Sequence, residues 1–250
     1  MTADRALVAG CRVDRLSMAQ TVARCEELIG TPGVAQHVAI NAAKVVSMQD
    51  DPALREIVSR CEIVSADGQS IVWASRILGD PLPARVAGID LMQELLGLAE
   101  RQGYGVYFLG ARQEVLDTAL DRIRQRYPEL RIAGARDGYF SDDEADAVAD
   151  AVRAAAPDIL FVAMSSPKKE YWLSRYGRQI DVPFVMGVGG SVDVLAGVTR
   201  RAPEVLQRMG LEWAYRLAQE PRRLLRRYVE SNARFGWLVL ADLIKRRRRR

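Results

Sequence analysis

Six short apolar runs, at residues 36–40, 62–66, 105–109, 131–135, 159–164 and 183–188, recur along the chain, and most precede an amphipathic stretch of helical length. Short β-branched runs read as strands, and the stretches between them repeat their apolar residues with a helical period. That rhythm builds a parallel sheet, because parallel neighbours need a crossover long enough to hold a helix, and helices then cover both faces. The boundaries agree. Asp51-Pro52 and Ser166-Pro167 read as N-caps followed by proline at the first helical position. Ser141, with Glu144 three residues on, reads as a capping box opening a helix toward Ala156. The expected fold class is α/β, a Rossmann-like parallel sheet with helices on both faces.

A chain of 250 residues, 49% hydrophobic, can bury a full core and is most simply one main domain with an appendage. Cys11, Cys25 and Cys61 show no CxxC spacing and no neighbouring histidine, which argues against a zinc site or a disulfide framework and fits a reducing compartment. The first ten residues carry Asp4 and Arg5 and no long apolar core, unlike a secretory signal. No apolar run reaches the roughly 18 residues of a bilayer span. The net charge of +4 is unevenly spread: residues 200–250 hold 15 Lys or Arg against 5 Asp or Glu, leaving the first 199 residues at −6. A basic tail of this kind can face nucleic acid, an anionic membrane leaflet, or solvent.

Chemistry-capable residues cluster where the strands end. Ser65-Ala66-Asp67-Gly68 closes the second run and puts the Asp67 carboxylate at the carboxyl edge, where open α/β sheets keep their ligands. The plain alternative is an Asp-Gly turn that caps a helix; the company of the other strand ends makes Asp67 the candidate catalytic residue. Asn41 follows the first run and suits either a sugar or phosphate contact or a structural turn. Phe108-Leu109-Gly110-Ala111-Arg112 passes from strand to helix start, a geometry that turns free N–H groups toward an anion, although tight βα turns use glycine anyway. Ser165-Ser166-Pro167-Lys168-Lys169-Glu170 sets hydroxyls and two cations at another junction. Met186-Gly187-Val188-Gly189-Gly190-Ser191-Val192-Asp193 is a glycine-rich turn open to close ligand approach.

Other chemistries lack their residues. Neither GxGxxG after the first strand nor GxxxxGK[ST] is present. The lone histidine, His37, lies in an apolar strand and reads as structural, so no Ser-His-Asp or Cys-His arrangement supports a covalent intermediate. The one carboxylate group, Asp142, Asp143, Glu144 and Asp146, reads as a solvated helix start, and no metal site is expected.

Taken together, Asn41, Ser65-Ala66-Asp67-Gly68, Arg85-Val86-Ala87-Gly88-Ile89-Asp90, Phe108-Leu109-Gly110-Ala111, Ser166-Pro167-Lys168-Lys169-Glu170, Gly187-Val188-Gly189, and Leu211-Glu212-Trp213 through Gln219-Glu220-Pro221-Arg222-Arg223 resemble the WecG/TagA/CpsF proteins, glycosyltransferase family 26. The resemblance runs in order from about residue 7 to about residue 230. It implies a GT-E fold with a catalytic domain over 1–205 and a basic amphipathic appendage over 206–250 for membrane association and site closure. The activity implied is inverting, metal-independent and cofactor-free transfer of N-acetylmannosamine, its uronic acid, or glucose or glucuronate, from a UDP-sugar to an undecaprenyl-diphosphate-linked saccharide. Such products include teichoic acid linkage units, enterobacterial common antigen and exopolysaccharide. The implied place is cytoplasmic, peripheral on the inner face of the bacterial plasma membrane, and homo-oligomers occur among similar proteins.

Residue by residue, the resemblance makes Asp67 the general base, Asn41 a sugar contact and Arg85 a cation near the diphosphate. It draws the substrate-binding set from Ala39, Gly68, Gly110, Tyr139, Ser166, Lys169, Gly187, Gly189, Asp193, Arg216, Arg223 and Arg226. Two positions depart from the family pattern: Ala39 replaces a frequent threonine, and Lys169 replaces a usual glutamine. The added cation suits a donor with a carboxylate. In the tail, the arginines of 220–228 beside Leu224, Leu225 and Tyr228 read as an interfacial helix. The aromatics of 235–241 are expected in the headgroup layer with the terminal arginines on anionic lipid; packing on the main domain is the alternative. The competing function is a non-catalytic nucleotide- or nucleic-acid-binding α/β protein. The acidic main domain, without basic and aromatic residues interleaved, argues against nucleic acid.

Overall fold

The computed structural model of the chain describes residues 4–219 and 221–248, with the side chains of Arg208, Arg223, Leu224, Arg226 and Arg227 outside that description. The chain opens with a hairpin, β1 (Arg5–Val8) and β2 (Cys11–Asp14), turning through Ala9 and Gly10 at φ 47° and 83°. Positive φ at both central residues matches the twist of the strands. Because alanine rather than glycine, asparagine or aspartate takes the first of those positions, the turn leaves little trace in the sequence.

There follow α1 (Met18–Ile29), β3 (Ala35–Ile40), α2 (Ala42–Asp50), α3 (Pro52–Arg60), β4 (Ile63–Ala66), α4 (Gln69–Ile77), α5 (Gly88–Gln102), β5 (Gly105–Gly110) and α6 (Gln113–Arg126). Then come β6 (Arg131–Arg136), a 3-10 turn (Asp142–Glu144), α7 (Ala145–Ala154), β7 (Ile159–Ala163), α8 (Lys168–Ile180) and β8 (Phe184–Gly187). Four helices end the chain: α9 (Ser191–Leu195), α10 (Glu204–Arg208), α11 (Glu212–Gln219) and α12 (Pro221–Arg248). Each of the six runs read as strands is a strand, with ends displaced by no more than one residue.

The six strands form one parallel sheet in the order β4-β3-β8-β7-β5-β6. From β3 the chain moves outward to β4, crosses to the other half, and returns with β8 beside β3. Such a reversal opens a crevice at the carboxyl ends of the central strands. One face buries Val106, Phe108, Ile159, Phe161, Phe184 and Met186 under α1, α5, α6 and α9. The other buries Leu160, Val162 and Val185 under α7 and α8, and Val38, Ile40, Val64 and Ala66 under α2, α3 and the hairpin. Burial on both faces explains why the strands other than the edge strand β6, which has no buried residue, read as largely apolar runs.

The free edge of β4 is closed by a side chain: Asp14 accepts the Val64 N–H at 2.6 Å on one oxygen and Arg5 Nε at 2.8 Å on the other. Asp51 caps α3 through the Leu54 N–H with Pro52 in the first turn, and Ser141 and Glu144 form the reciprocal box. Ser166 differs from expectation. Pro167 occupies the cap position of α8, the Ser166-Pro167 peptide is cis, and the helix begins at Lys168.

The tail also differs. α12 is one continuous helix that lies along α2. Phe235 and Val239 enter the core beside the hairpin, so Phe235 is not available to a headgroup layer. Arg234 forms a two-pronged ion pair with Asp50 at 2.6 and 2.8 Å, and Arg246 turns inward to the carbonyls of Leu7 and Leu78. A second apolar stripe, Leu225, Val229, Trp237, Leu240 and Ile244, remains exposed on the opposite side. Arg249 and Arg250 lie outside the described residues.

Candidate active site

Backbone hydrogen bonds fix the residue after β4. The Asp67 N–H donates to the Ile40 carbonyl at 2.9 Å, and the Ala66 carbonyl accepts the Val86 N–H at 2.9 Å. The segment 85–88 is thereby drawn over the strand end, and Asp67 Oδ1 accepts the Gly88 N–H at 2.9 Å. Asp67 does cap a helix, but it is α5 rather than the adjacent α4, and one oxygen suffices. Among the described residues no donor occupies Oδ2. Burial pushes the Asp67 carboxyl above its ordinary range, and the nearby Glu212 adds to this; the Gly88 N–H, Arg85 and Arg216 oppose it.

Arg85 lies beside this carboxylate but faces an anion of its own: its Nη2 donates to Glu212 Oε2 at 2.8 Å. Arg216 follows Glu212 by one helical turn on α11 and reaches the glycine-rich turn, where its guanidinium stands 3.6 Å from the position of a Cβ at Gly190. The Asp193 carboxylate stands on the same spot at 3.4 Å. Helix α11 thus ties the appendage to two strand ends.

Asn41 is exposed on the neighbouring strand end and caps α2, its Oδ1 accepting the Lys44 N–H at 3.0 Å. The turn role and the site position coincide, and the amide Nδ2 is the group left to donate. Gly68 packs on Asn41, where a Cβ would meet the Asn41 Cβ at 3.0 Å, and Ala39 faces Gly88 across the loop.

Lys169 is not an open cation. Its stem crosses Gly187, where a Cβ would stand 2.7 Å from Lys169 Cε, so only glycine allows that path. Its ammonium lies 3.3 Å from Glu170 Oε1, which also takes Lys44 Nζ at 2.5 Å. Two cations against one carboxylate leave this buried cluster one charge positive. Burial and the Lys44 ammonium bring the Lys169 pKa down to about 8, against the pull of Glu170.

The turn after β5 meets the expectation of a tight, glycine-dependent bend. Gly110 has φ 127° and its Cβ would stand 2.5 Å from the Ala163 carbonyl carbon. Next to it, Arg112 hydrogen-bonds the side chain of the exposed Tyr139 and feels Asp193. Of the helices starting at this edge, α2 is capped by Asn41, whereas α4, α5, α6 and α8 have no cap from their own N-cap side chains. Unshared N–H groups at helix starts are receptive to anions. Ser166 and Gly189 sit at this same edge, the latter at φ 51°.

The Arg223 and Arg226 side chains, expected at the site, lie outside the described residues. His37 is fully buried, bonded through Nε2 to Ser65 Oγ at 2.8 Å and driven down to about 3 by burial and Lys44, which makes it a neutral core residue. Among the described residues no three His, Cys, Asp or Glu side chains gather into a metal-binding group. Sequence reasoning missed Lys44, Glu170, Arg201 and Glu212 as partners. The acidic Glu212 within a basic appendage was the signal available.

Fold and site define a Rossmann-like α/β protein with an anion-receptive crevice at the carboxyl edge of its sheet and a half-buried carboxylate at the end of β4. The chain belongs to the Glycosyl transferase WecG/TagA/CpsF family, whose model matches residues 6–249. A curated relative from Bacillus spizizenii (strain ATCC 23059 / NRRL B-14472 / W23), N-acetylglucosaminyldiphosphoundecaprenol N-acetyl-beta-D-mannosaminyltransferase, is 36% identical over 173 residues. That alignment covers 69% of this chain and 66% of the relative's length.

Proposed function

We propose that the chain is an inverting, metal-independent glycosyltransferase that moves a sugar from a UDP-sugar to a saccharide carried on undecaprenyl diphosphate, with Asp67 as general base. The observation that carries this reading is the Asp67 carboxylate at the carboxyl end of β4, beside Asn41 at the end of β3, held by one oxygen, open at the other, and lifted in pKa by burial against the opposing charges of Arg85 and Arg216. Direct displacement needs one base. The acceptor hydroxyl gives its proton to Asp67 while its oxygen bonds to C1 and the C1–O bond to UDP breaks on the opposite face. Charge gathering on the leaving diphosphate meets Arg85, Arg216 and the unshared N–H groups of the neighbouring helices; Arg223 and Arg226 are assigned the same duty.

Tyr139 and Asp193, joined through Arg112, are assigned to the nucleotide, and Asn41, Ser166 and Lys169 to the donor side. The relative's name carries N-acetylmannosamine, and the positive Lys44–Glu170–Lys169 cluster favours a donor with a carboxylate. N-acetylmannosamine, its uronic acid, glucose and glucuronate are therefore the donors to compare. Residues 1–205 carry the chemistry in this reading, and 206–250 cover the site and attach to the inner face of the membrane. Among the described residues no helix is long and apolar enough to cross a bilayer, while the outward stripe of α12 with exposed Lys245, Arg247 and Arg248 suits an anionic surface.

The test is UDP release from that donor panel with a lipid-diphosphate-GlcNAc acceptor analogue, with and without EDTA. Acceptor-dependent, EDTA-resistant release is expected, with Asp67→Asn losing about 10²–10⁴-fold, the usual worth of a general base, while UDP binding stays near wild type. Equal loss of binding and transfer would remove the base assignment. Salt-sensitive binding of RNA or DNA without binding of UDP would replace the whole reading by the non-catalytic one.

A further inference from the structure

The appendage is fastened beside Asp67 by one carboxylate. Glu212, in the first turn of α11, accepts from Arg85 Nη2 at 2.8 Å on Oε2 and faces Arg201 Nε at 3.4 Å on Oε1. Arg201 in turn grips Asp90, in the first turn of α5, at 2.5 and 2.8 Å. All four side chains are partly buried, so the network is shielded from the screening that weakens surface pairs. Gly210, two residues before Glu212, lies directly on Gln69 at the start of α4, where a Cβ would meet Gln69 Cγ at 2.5 Å.

The loop that carries Arg85 is the loop that holds Asp67. Val86 donates to the Ala66 carbonyl and Gly88 to Asp67 Oδ1, within three residues of the guanidinium. A pull on Arg85 is transmitted to the carboxylate through two backbone hydrogen bonds. Arg85 keeps further N–H donors beyond the one given to Glu212, since a guanidinium has five. Glu212 can therefore orient Arg85 without consuming it, and one turn later α11 sets Arg216 against Gly190.

We propose that Glu212 is a positioning residue: by bridging Arg85 and Arg201 it docks the appendage, aims Arg85 at the diphosphate, and fixes the 85–88 loop that holds Asp67. The claim rests on the transferase reading only for the diphosphate. Docking is a property of the ligand-free protein. The charged groups around Asp67 are Arg85 from the loop and Glu212 and Arg216 from α11, with Gly88 N–H as its fixed donor. Removing the Glu212 charge takes away an anion that favours the protonated carboxyl, which moves its titration to lower pH.

Two measurements on full-length Glu212→Gln keep the outcomes separate. Hydrogen exchange without substrate is expected to quicken about tenfold or more at the Val86 and Gly88 amides and through α11 together. Unchanged exchange at both places overturns the proposal, whether or not any donor turns over. Where wild type turns over, KM for the donor is expected to rise by about tenfold and the acid limb of kcat/KM to move to lower pH. A limb that stays in place with an unchanged KM overturns the aiming of Arg85. Arg201→Gln, which leaves Glu212 and Arg85 intact, is the companion in case Glu212→Gln is poorly folded; faster exchange in α11 supports docking through this network, and wild-type exchange overturns it.

Discussion

Asp67 and Lys169 show how burial sets charge at this site. As the proposed base, Asp67 must be unprotonated to accept the hydroxyl proton, so turnover should fall as pH drops through its pKa. Because burial lifts that pKa, the acid limb of kcat/KM is expected above the ordinary carboxylate range. Arg85 favours the ionised form, so Arg85→Gln should move the limb still higher; a limb at or below the wild-type position would remove Arg85 from the site's electrostatics. Lys169 has the opposite sign. Its pKa is brought down to about 8 from 10.5, so the unfolded chain binds more protons between those values, and the cost of the buried ammonium is present below pH 8 and fades toward 10.5. Lys169→Gln should then be more stable than wild type at pH 7, by about 1–3 kcal/mol, with the gap narrowing in alkaline denaturation series. The same variant should lose turnover with uronic acid donors and keep it with neutral ones. Equal loss with both would place Lys169 outside donor selection.

Helix α12 carries different duties on its two sides. Phe235 fills the core between α2 and the hairpin, and truncation to alanine should cost about 3–5 kcal/mol in urea unfolding. Trp237 is 69% exposed, so Trp237→Ala should leave stability within about 0.5 kcal/mol yet weaken binding to anionic vesicles. Loss of stability in both would mean the outward stripe is packed in solution. The sequence announced such elements unequally. Apart from β6, an edge strand with no buried residue, the sheet strands were legible because burial on both faces makes them largely apolar runs. The hairpin was not, since Ala9 holds a positive φ that turn statistics assign to glycine. Phe235 and Trp237, two positions apart, look alike in an apolar run, and only the surface presented by α2 and the hairpin decides which is core. At the site, Asp67 and the glycine turns were legible from strand ends, whereas Glu212 and Arg201 were not. Their pairing spans 127 positions to Arg85 and 111 to Asp90, and no local pattern encodes such separations.

The molecule as a whole is polarised. Residues 200–250 carry 15 basic against 5 acidic side chains, and the rest balances the total of +4 from the negative side. In the membrane-attached reading proposed above, an anionic bilayer would attract the tail and repel the main domain, orienting the protein with α12 toward the membrane and its apolar stripe facing lipid. The inward bonds of Arg246 and Arg234 hold α12 to the body, which makes the orientation of the tail the orientation of the site. Among the described residues, Lys245, Arg247 and Arg248 are exposed cations at the end of α12. Reversing all three to glutamate removes roughly 1 kcal/mol of attraction each, and vesicle binding should fall by at least about 100-fold. Turnover of a short-chain soluble acceptor should be unchanged, because none of the three approaches Asp67, while turnover of a bilayer-embedded acceptor should fall with the binding. Adding salt to wild type should reproduce the binding loss through screening. Undiminished vesicle binding by the triple variant, at low and high salt alike, would show that the apolar stripe acts without the charges and that polarity does not orient the enzyme.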